Sequence, residues 1–116
     1  MVKQFQIEEV DIFRLESLID EQAIVVVDFW ATWCVPCQSF AAVFASVAET
    51  ESNVCFVKMN IGEASQEVLE SLGIQSVPHL MIFKKGVAVY SEAGTIPKAV
   101  LKDLVSQTKE LQLEKE

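Results

Sequence analysis

The chain's strongest constraint is a single stretch, Val25-Val26-Val27-Asp28-Phe29-Trp30-Ala31-Thr32-Trp33-Cys34-Val35-Pro36-Cys37-Gln38, in which an apolar run ends on two closely spaced cysteines. Ile24 to Phe29 is nearly continuous in β-branched residues, as in a strand covered on both faces. From Cys34 onward, Cys37, Phe40, Val43, Phe44 and Val47 recur at three or four residues, the spacing of a helix with an apolar stripe on a sheet. A buried strand must therefore hand the chain directly to a helix, with the cysteines at the junction.

Side chains at i and i+3 share a helix face, so Cys34 and Cys37 can close a disulfide without unfolding anything. The first N–H groups of a helix lack intrahelical partners, and its dipole favours negative charge there. Cys34 should therefore ionise more readily than a free thiol. It is the expected nucleophile, and Cys37, one turn deeper, the resolving thiol. Pro36 suits a first helical turn, whose N–H would be unpaired, and Trp33 can wall off one side of the sulfur. Two other uses of the pair are open. Zinc needs four ligands, and beyond the pair only Cys55 and His79 remain, neither in a paired spacing, so a metal site within the chain is not expected. Two structural thiols would explain neither the intervening proline nor the preceding tryptophan. A Cys-X-X-Cys beside a βαβ pattern points instead to redox chemistry.

The segment from Asp28 to Cys37 resembles the active-site segment of thioredoxins. The likeness continues through Phe56-Val57-Lys58-Met59-Asn60, Leu72-Gly73-Ile74-Gln75-Ser76-Val77-Pro78, Phe83-Lys84-Lys85-Gly86 and Ala93-Gly94, in the family's order and spacing. It implies a thioredoxin-like α/β fold, a central mixed sheet with helices on both faces. It also implies a substrate groove around Trp33, Val35, Pro36, Val77, Pro78 and Gly94, with a cis peptide at Pro78. Ala42 stands where the family usually carries a helix-kinking proline, so a weaker kink is expected. Gln38 replaces a frequent lysine, and His79 a frequent threonine.

Asp28 is out of place in an apolar strand, because a buried carboxylate is costly unless paired, hydrated or neutralised. It either reaches solvent at a strand end or has a task. The resemblance implies burial behind the cysteines and proton relay to Cys37, and desolvation should then raise its pKa towards neutrality. Lys58 is either a solvent-facing lysine or, by the same resemblance, a charge partner of Asp28. Cys55 reads as a small buried hydrophobe, with a regulatory thiol as the other possibility. His79 is either a packed bystander or, if close to Cys34, a cation that favours the thiolate.

The remaining chain supplies the cover. Val2 to Ile7 suits an edge strand, and Glu8 to Asp20 an amphipathic helix carrying Val10, Phe13, Leu15 and Leu18. Asn53 to Asn60 is a strand parallel to the preceding one. Glu63 to Leu72 is a helix with Val68, Leu69 and Leu72 inward, and Gly73 suits its C-terminal cap. Leu80 to Phe83 and Val87 to Ser91 are strands joined through Lys84-Lys85-Gly86. Pro97 starts a last helix with Val100, Leu101, Leu104 and Val105 as its stripe, and the charged tail from Lys109 should fray.

At 116 residues, 51% of them hydrophobic, residues 1–116 form one expected domain. A net charge of −8 speaks against nucleic acid and anionic membranes as partners. Three cysteines argue for a reducing compartment rather than a disulfide scaffold. With no leader-like N-terminus and no run near ~18 apolar residues, the expectation is a cytoplasmic protein; a monomer is expected, though no residue pattern fixes the oligomeric state.

The expected activity is protein thiol-disulfide reduction without a bound cofactor or metal. The resemblance implies that the Cys34–Cys37 disulfide is re-reduced by an NADPH-dependent thioredoxin reductase. Val35, with Val77-Pro78-His79 opposite, departs from the usual thioredoxin pattern and would also suit a more oxidising oxidase or isomerase. A binding module that uses the groove, with redox chemistry incidental, is the further alternative.

Overall fold

The computed structural model describes residues 7–113. Its sheet comprises β1 (Glu8–Glu9), β2 (Ile24–Trp30), β3 (Cys55–Asn60), β4 (His79–Lys84) and β5 (Val87–Ala93), in spatial order β1-β3-β2-β4-β5. The first three strands of that order run parallel, β4 is antiparallel to β2, and β5 is antiparallel to β4. Helices α1 (Ile12–Glu21), α2 (Val35–Ala48), α3 (Gln66–Leu72) and α4 (Lys98–Glu110) cover the sheet.

Strand alternation divides the core in two. Ile24 and Val26 pack with Phe40, Phe44, Val47, Leu101 and Val105, so α2 and α4 lie on one face. Val25, Val27 and Phe29 pack with Leu15, Leu18 and Ile74 on the other, against α1 and the α3 region. Each fully buried Phe or Leu contributes roughly 1.5–3 kcal/mol by leaving water, and β2 collects such contacts on both sides because it is central. This is the mixed sheet with two-sided helical cover that the resemblance implies.

Local signals place the boundaries. Asp11 caps α1 by accepting from the Arg14 N–H, so that helix starts at Ile12 rather than Glu8. Ser65 caps α3 by accepting from the Val68 N–H. Helix α3 therefore starts at Gln66, not Glu63, which belongs to a 3-10 turn at Ile61–Glu63. Gly73 ends α3 in the left-handed region at φ 76°, as its position suggested. Lys85 and Gly86 both take positive φ, 51° and 83°, giving a two-residue hairpin between β4 and β5. Helix α2 is continuous through Ala42.

Three further expectations are corrected, and a fourth, the first edge strand, falls largely outside the described residues. The edge strand is Glu8–Glu9; Val2 to Gln6, where it was expected to run, lie outside the described residues. Phe13 is 76% exposed, because it sits two residues, about 200° of helical rotation, from inward-facing Leu15. Val100 is likewise exposed while Leu101 and Val105 are buried and Leu104 packs beside them, since Val100 lies outside the helical face that meets the core. The chain from Lys109 does not fray at once: α4 continues to Glu110, and the Lys109 ammonium pairs with Glu51.

Lys84 accounts for that last difference. It is a strand residue, not a loop residue, and its ammonium donates to the carbonyl oxygens of Thr108, Lys109 and Leu111 at the end of α4. The Thr108 carbonyl also accepts the Leu111 N–H of the cap, but the last carbonyls of a helix lack a full set of backbone donors, and a cation there also suits the helix dipole. Replacing Lys84 with methionine should lower the unfolding free energy by about 1–3 kcal/mol in urea titrations and speed amide exchange in the last turn of α4. A loss within a few tenths of a kcal/mol would show that water serves those carbonyls equally well.

Candidate active site

The strand-to-helix junction is built as the apolar run requires. Cys34 is the N-cap of α2, with Val35 and Pro36 as the first helical residues, and its Sγ accepts the Cys37 backbone N–H at 3.1 Å. Cys34 and Cys37 are joined as a disulfide with Cα atoms 5.3 Å apart. Both are buried, at 6% and 3% exposure, with buried Ala31 and half-buried Trp30, Ile61 and Val77 packed around them. A donor that points at Sγ from the helix start favours the anion that reduction would create.

Asp28 occupies β2 on the face of α2, so its carboxyl lies behind the disulfide rather than in solvent. It is 1% exposed, and its Oδ1 has no hydrogen-bond partner among the described residues. Burial pushes its pKa from 3.8 up to about 7, with the Lys58 charge opposing the rise and the Glu9 charge adding to it. Asp28 and Cys37 line one cavity of about 160 Å³ with Trp30, Ala31, Thr32, Gln38, Ala41 and Lys58. That volume accommodates water between carboxyl and sulfur. Lys58 stands beside Asp28 in the β2–β3 register, so it is not a remote surface lysine. Its ammonium nevertheless lies over the Trp30 ring, 5.6 Å from the centroid, and among the described residues no ion pair joins it to Asp28.

The outer side of the disulfide is apolar. Trp33 and Val35 are 68% and 73% exposed on either side of Cys34, and Pro36 is exposed beside them. The Val77-Pro78 peptide is cis; Val77 packs toward the sulfurs and Pro78 is buried. The Gly94 N–H donates to the Pro78 carbonyl at 2.8 Å, tying the loop after β5 to this edge. Gly94 has φ 103°, and a Cβ there would meet open space. Glycine is thus required by backbone conformation, and its bareness also leaves the surface open.

Three contributors were not legible in the chain. Ile61 helps to cover the sulfurs, and a Cβ on Gly62 would come within 3.2 Å of the Trp33 ring, so this glycine makes room for the tryptophan. Glu9 accepts the Trp30 indole N–H at 3.1 and 3.2 Å. The Asn60-Ile61-Gly62 turn, in which the Asn60 side chain accepts from the Gly62 N–H, is the one local signal that pointed there.

His79 belongs to another neighbourhood. In β4 it pairs with Phe29, meets that ring edge-on at 6.3 Å and shares a 2.8 Å hydrogen bond between Nε2 and Ser91 Oγ. Burial holds its pKa below the usual histidine range, so it carries no charge to offer Cys34 at neutral pH. Cys55 is only half-buried, not fully buried, and packs against the α1-side core. Burial and the Glu8 charge raise its thiol pKa, which keeps it protonated. Among the described residues no cluster of His, Cys, Asp or Glu is arranged to hold a metal ion.

The family model described as Thioredoxin matches residues 5–107. The chain is 35% identical over 101 residues to putative thioredoxin 2 of Streptomyces coelicolor, covering 87% of this chain and 75% of that protein. It is 41% identical over 99 residues to thioredoxin 1 of a Nostoc species, covering 84% and 88%. The solved structure of a thioredoxin from Plasmodium falciparum superposes with a TM-score of 0.78 at 29% identity, over 87% of this chain and 98% of that one. With a two-electron sulfur couple at the head of α2 and this kinship along nearly the whole chain, the protein belongs to the thioredoxin family and is a protein-disulfide reductase.

Proposed function

We propose that Cys34 is the attacking sulfur, Cys37 the resolving one and Asp28 the group that moves the proton between steps. The observation that carries this division is the helix start: the Cys37 N–H is aimed at Cys34 Sγ, while Cys37 shares a cavity with Asp28. In the reduced protein the Cys34 thiolate attacks one sulfur of a client disulfide. A Cys34–client bond forms, and the other client sulfur leaves as a thiolate that takes up a proton. Asp28 then accepts the Cys37 proton, and the Cys37 thiolate attacks Cys34 Sγ. This closes Cys34–Cys37 and expels the second client thiolate, to which the proton passes. Two electrons move from the protein to the client.

A carboxyl with a pKa of about 7 suits this shuttle, because at cellular pH it is near the midpoint between accepting and releasing a proton. Lys58 acts as its charge partner at a distance, opposing the rise of its pKa from a seat on the Trp30 ring rather than through an ion pair. Trp33, Val35, Pro36, Val77, Pro78 and Gly94 form the surface for an extended client segment, and the exposure of Trp33 and Val35 supports that use.

The protein works as one domain, 1–116, and as a monomer in electron transport within the cytoplasm. An NADPH-dependent thioredoxin reductase returns Cys34–Cys37 to the dithiol. The cysteine content supports a reducing location, and among the described residues no helix is long and apolar enough to cross a membrane.

In a coupled assay with NADPH, a thioredoxin reductase and insulin, the chain should sustain turnover. Cys34→Ser should abolish it, and Cys37→Ser should stall as a covalent client adduct on non-reducing gels. No turnover with a titratable Cys34 thiol would overturn the reductase role. The Asp28 pKa also sets a stability trend. The folded carboxyl binds its proton up to about pH 7, whereas the unfolded one releases it near 3.8. Its contribution is therefore complete below the lower value and is lost as pH rises through the higher one. Asp28→Asn should remove this dependence and raise the unfolding free energy at pH 8 by up to about 4 kcal/mol. It should also slow the resolving step about tenfold or more. Unchanged resolution would refute the relay.

A further inference from the structure

Glu9, Lys58 and Asp28 form one row across three strands. Glu9 pairs with Lys58 in the β1–β3 register, and Lys58 pairs with Asp28 in the β2–β3 register. Residues in register on neighbouring strands project to the same face, so one lysine stands between two acidic residues in the row. Trp30, two residues beyond Asp28, projects to that face as well. Its indole N–H is gripped by both Glu9 oxygens, and its ring carries the Lys58 ammonium at 5.6 Å. A carboxylate on the N–H draws the indole proton and enriches the ring in electron density, which strengthens its hold on a cation.

This explains why Lys58, although beside a buried acid with an unpartnered oxygen, makes no ion pair with it among the described residues. The charged or titratable groups facing Asp28 are Lys58 from β3, Glu9 from β1 and the sulfur of Cys37 from α2. β2 contributes Trp30, β4 contributes Leu80 in register, and the junction and α2 add Thr32, Gln38 and Ala41, none of them charged.

We propose that Glu9 is a positioning residue for the resolving step: by holding Trp30 and attracting Lys58 it keeps the ammonium seated on the indole ring and away from Asp28, so that Asp28 stays available as a proton carrier near neutrality. The inference rests on the relay reading given above. Two effects act in the same direction when the Glu9 charge is removed. The carboxylate no longer opposes ionisation of Asp28, and Lys58 is free to approach it.

Glu9→Gln retains an oxygen for the indole N–H and removes only the charge, whereas Glu9→Asp retains the charge. The Asp28 carboxyl is followed by carbon NMR in the oxidised protein. The Gln variant should titrate about half a unit lower than the parent. The Asp variant should stay closer to the parent. The acid limb of Cys37-dependent release from a client adduct should move with it, and Glu9→Gln should leave the pH profile unaltered when combined with Asp28→Asn. Amide spectra serve as the control that each variant is folded. If Asp28 titrates alike in Glu9→Gln and the parent, or if Glu9→Asp shifts it as far as Gln does, the Glu9 inference fails while the relay stands. If Asp28→Asn alone leaves the release profile unchanged, the relay fails, and the Glu9 role in that step fails with it.

Discussion

Strand β2 is covered on both faces, and the rest of the molecule is arranged by that condition. Its six residues from Ile24 to Phe29 are all buried, with α2 and α4 above and α1 and the α3 region below. A strand in this position cannot drift in register without turning its side chains to the wrong face. Its end at Trp30 is consequently a fixed point, and the cysteines begin four residues beyond it. The same burial makes Asp28 costly to ionise and turns an ordinary carboxyl into one that titrates at about pH 7. Stability and chemistry thus draw on one cause, the exclusion of water from the sheet centre.

The two sides of the disulfide have opposite characters. Behind it lies a small cavity that holds a carboxyl, a sulfur and a lysine under partial shielding. In front lie exposed Trp33 and Val35, with the cis Val77-Pro78 peptide and Gly94 along one edge. The buried carboxyl is kept from bulk water, while the exposed side offers apolar area and open backbone. The row of charges across β1, β3 and β2 links the hidden side to Glu9 at the sheet edge, so a residue far along the chain from the cysteines takes part in their environment.

Much of this was legible in the chain because the signals were local or periodic. The β-branched run declared a central strand, the three- and four-residue spacing declared α2, and the Cys-X-X-Cys spacing declared a closable pair. Resemblance to thioredoxins added the cis peptide and the neighbourhood of Asp28 and Lys58. Phe13 and Val100 depart from the sequence expectation because hydrophobicity alone does not say which helical row meets the core. Lys84 departs from it because a lysine beside Lys85-Gly86 has the pattern of a hairpin loop, yet its stem threads to carbonyls at the end of a helix more than twenty residues later.

The sequence by itself determined the order and type of the main elements, the redox pair and its place at a helix start, since these depend on neighbours within a few residues. Only the tertiary structure decided that Lys58 rests on Trp30, that Glu9 grips that indole, that Gly62 admits Trp33, and that His79 is turned toward Phe29 and Ser91. Those arrangements arise from strand register and cross-strand contact. They bring together residues tens of positions apart, and no local pattern carries that information.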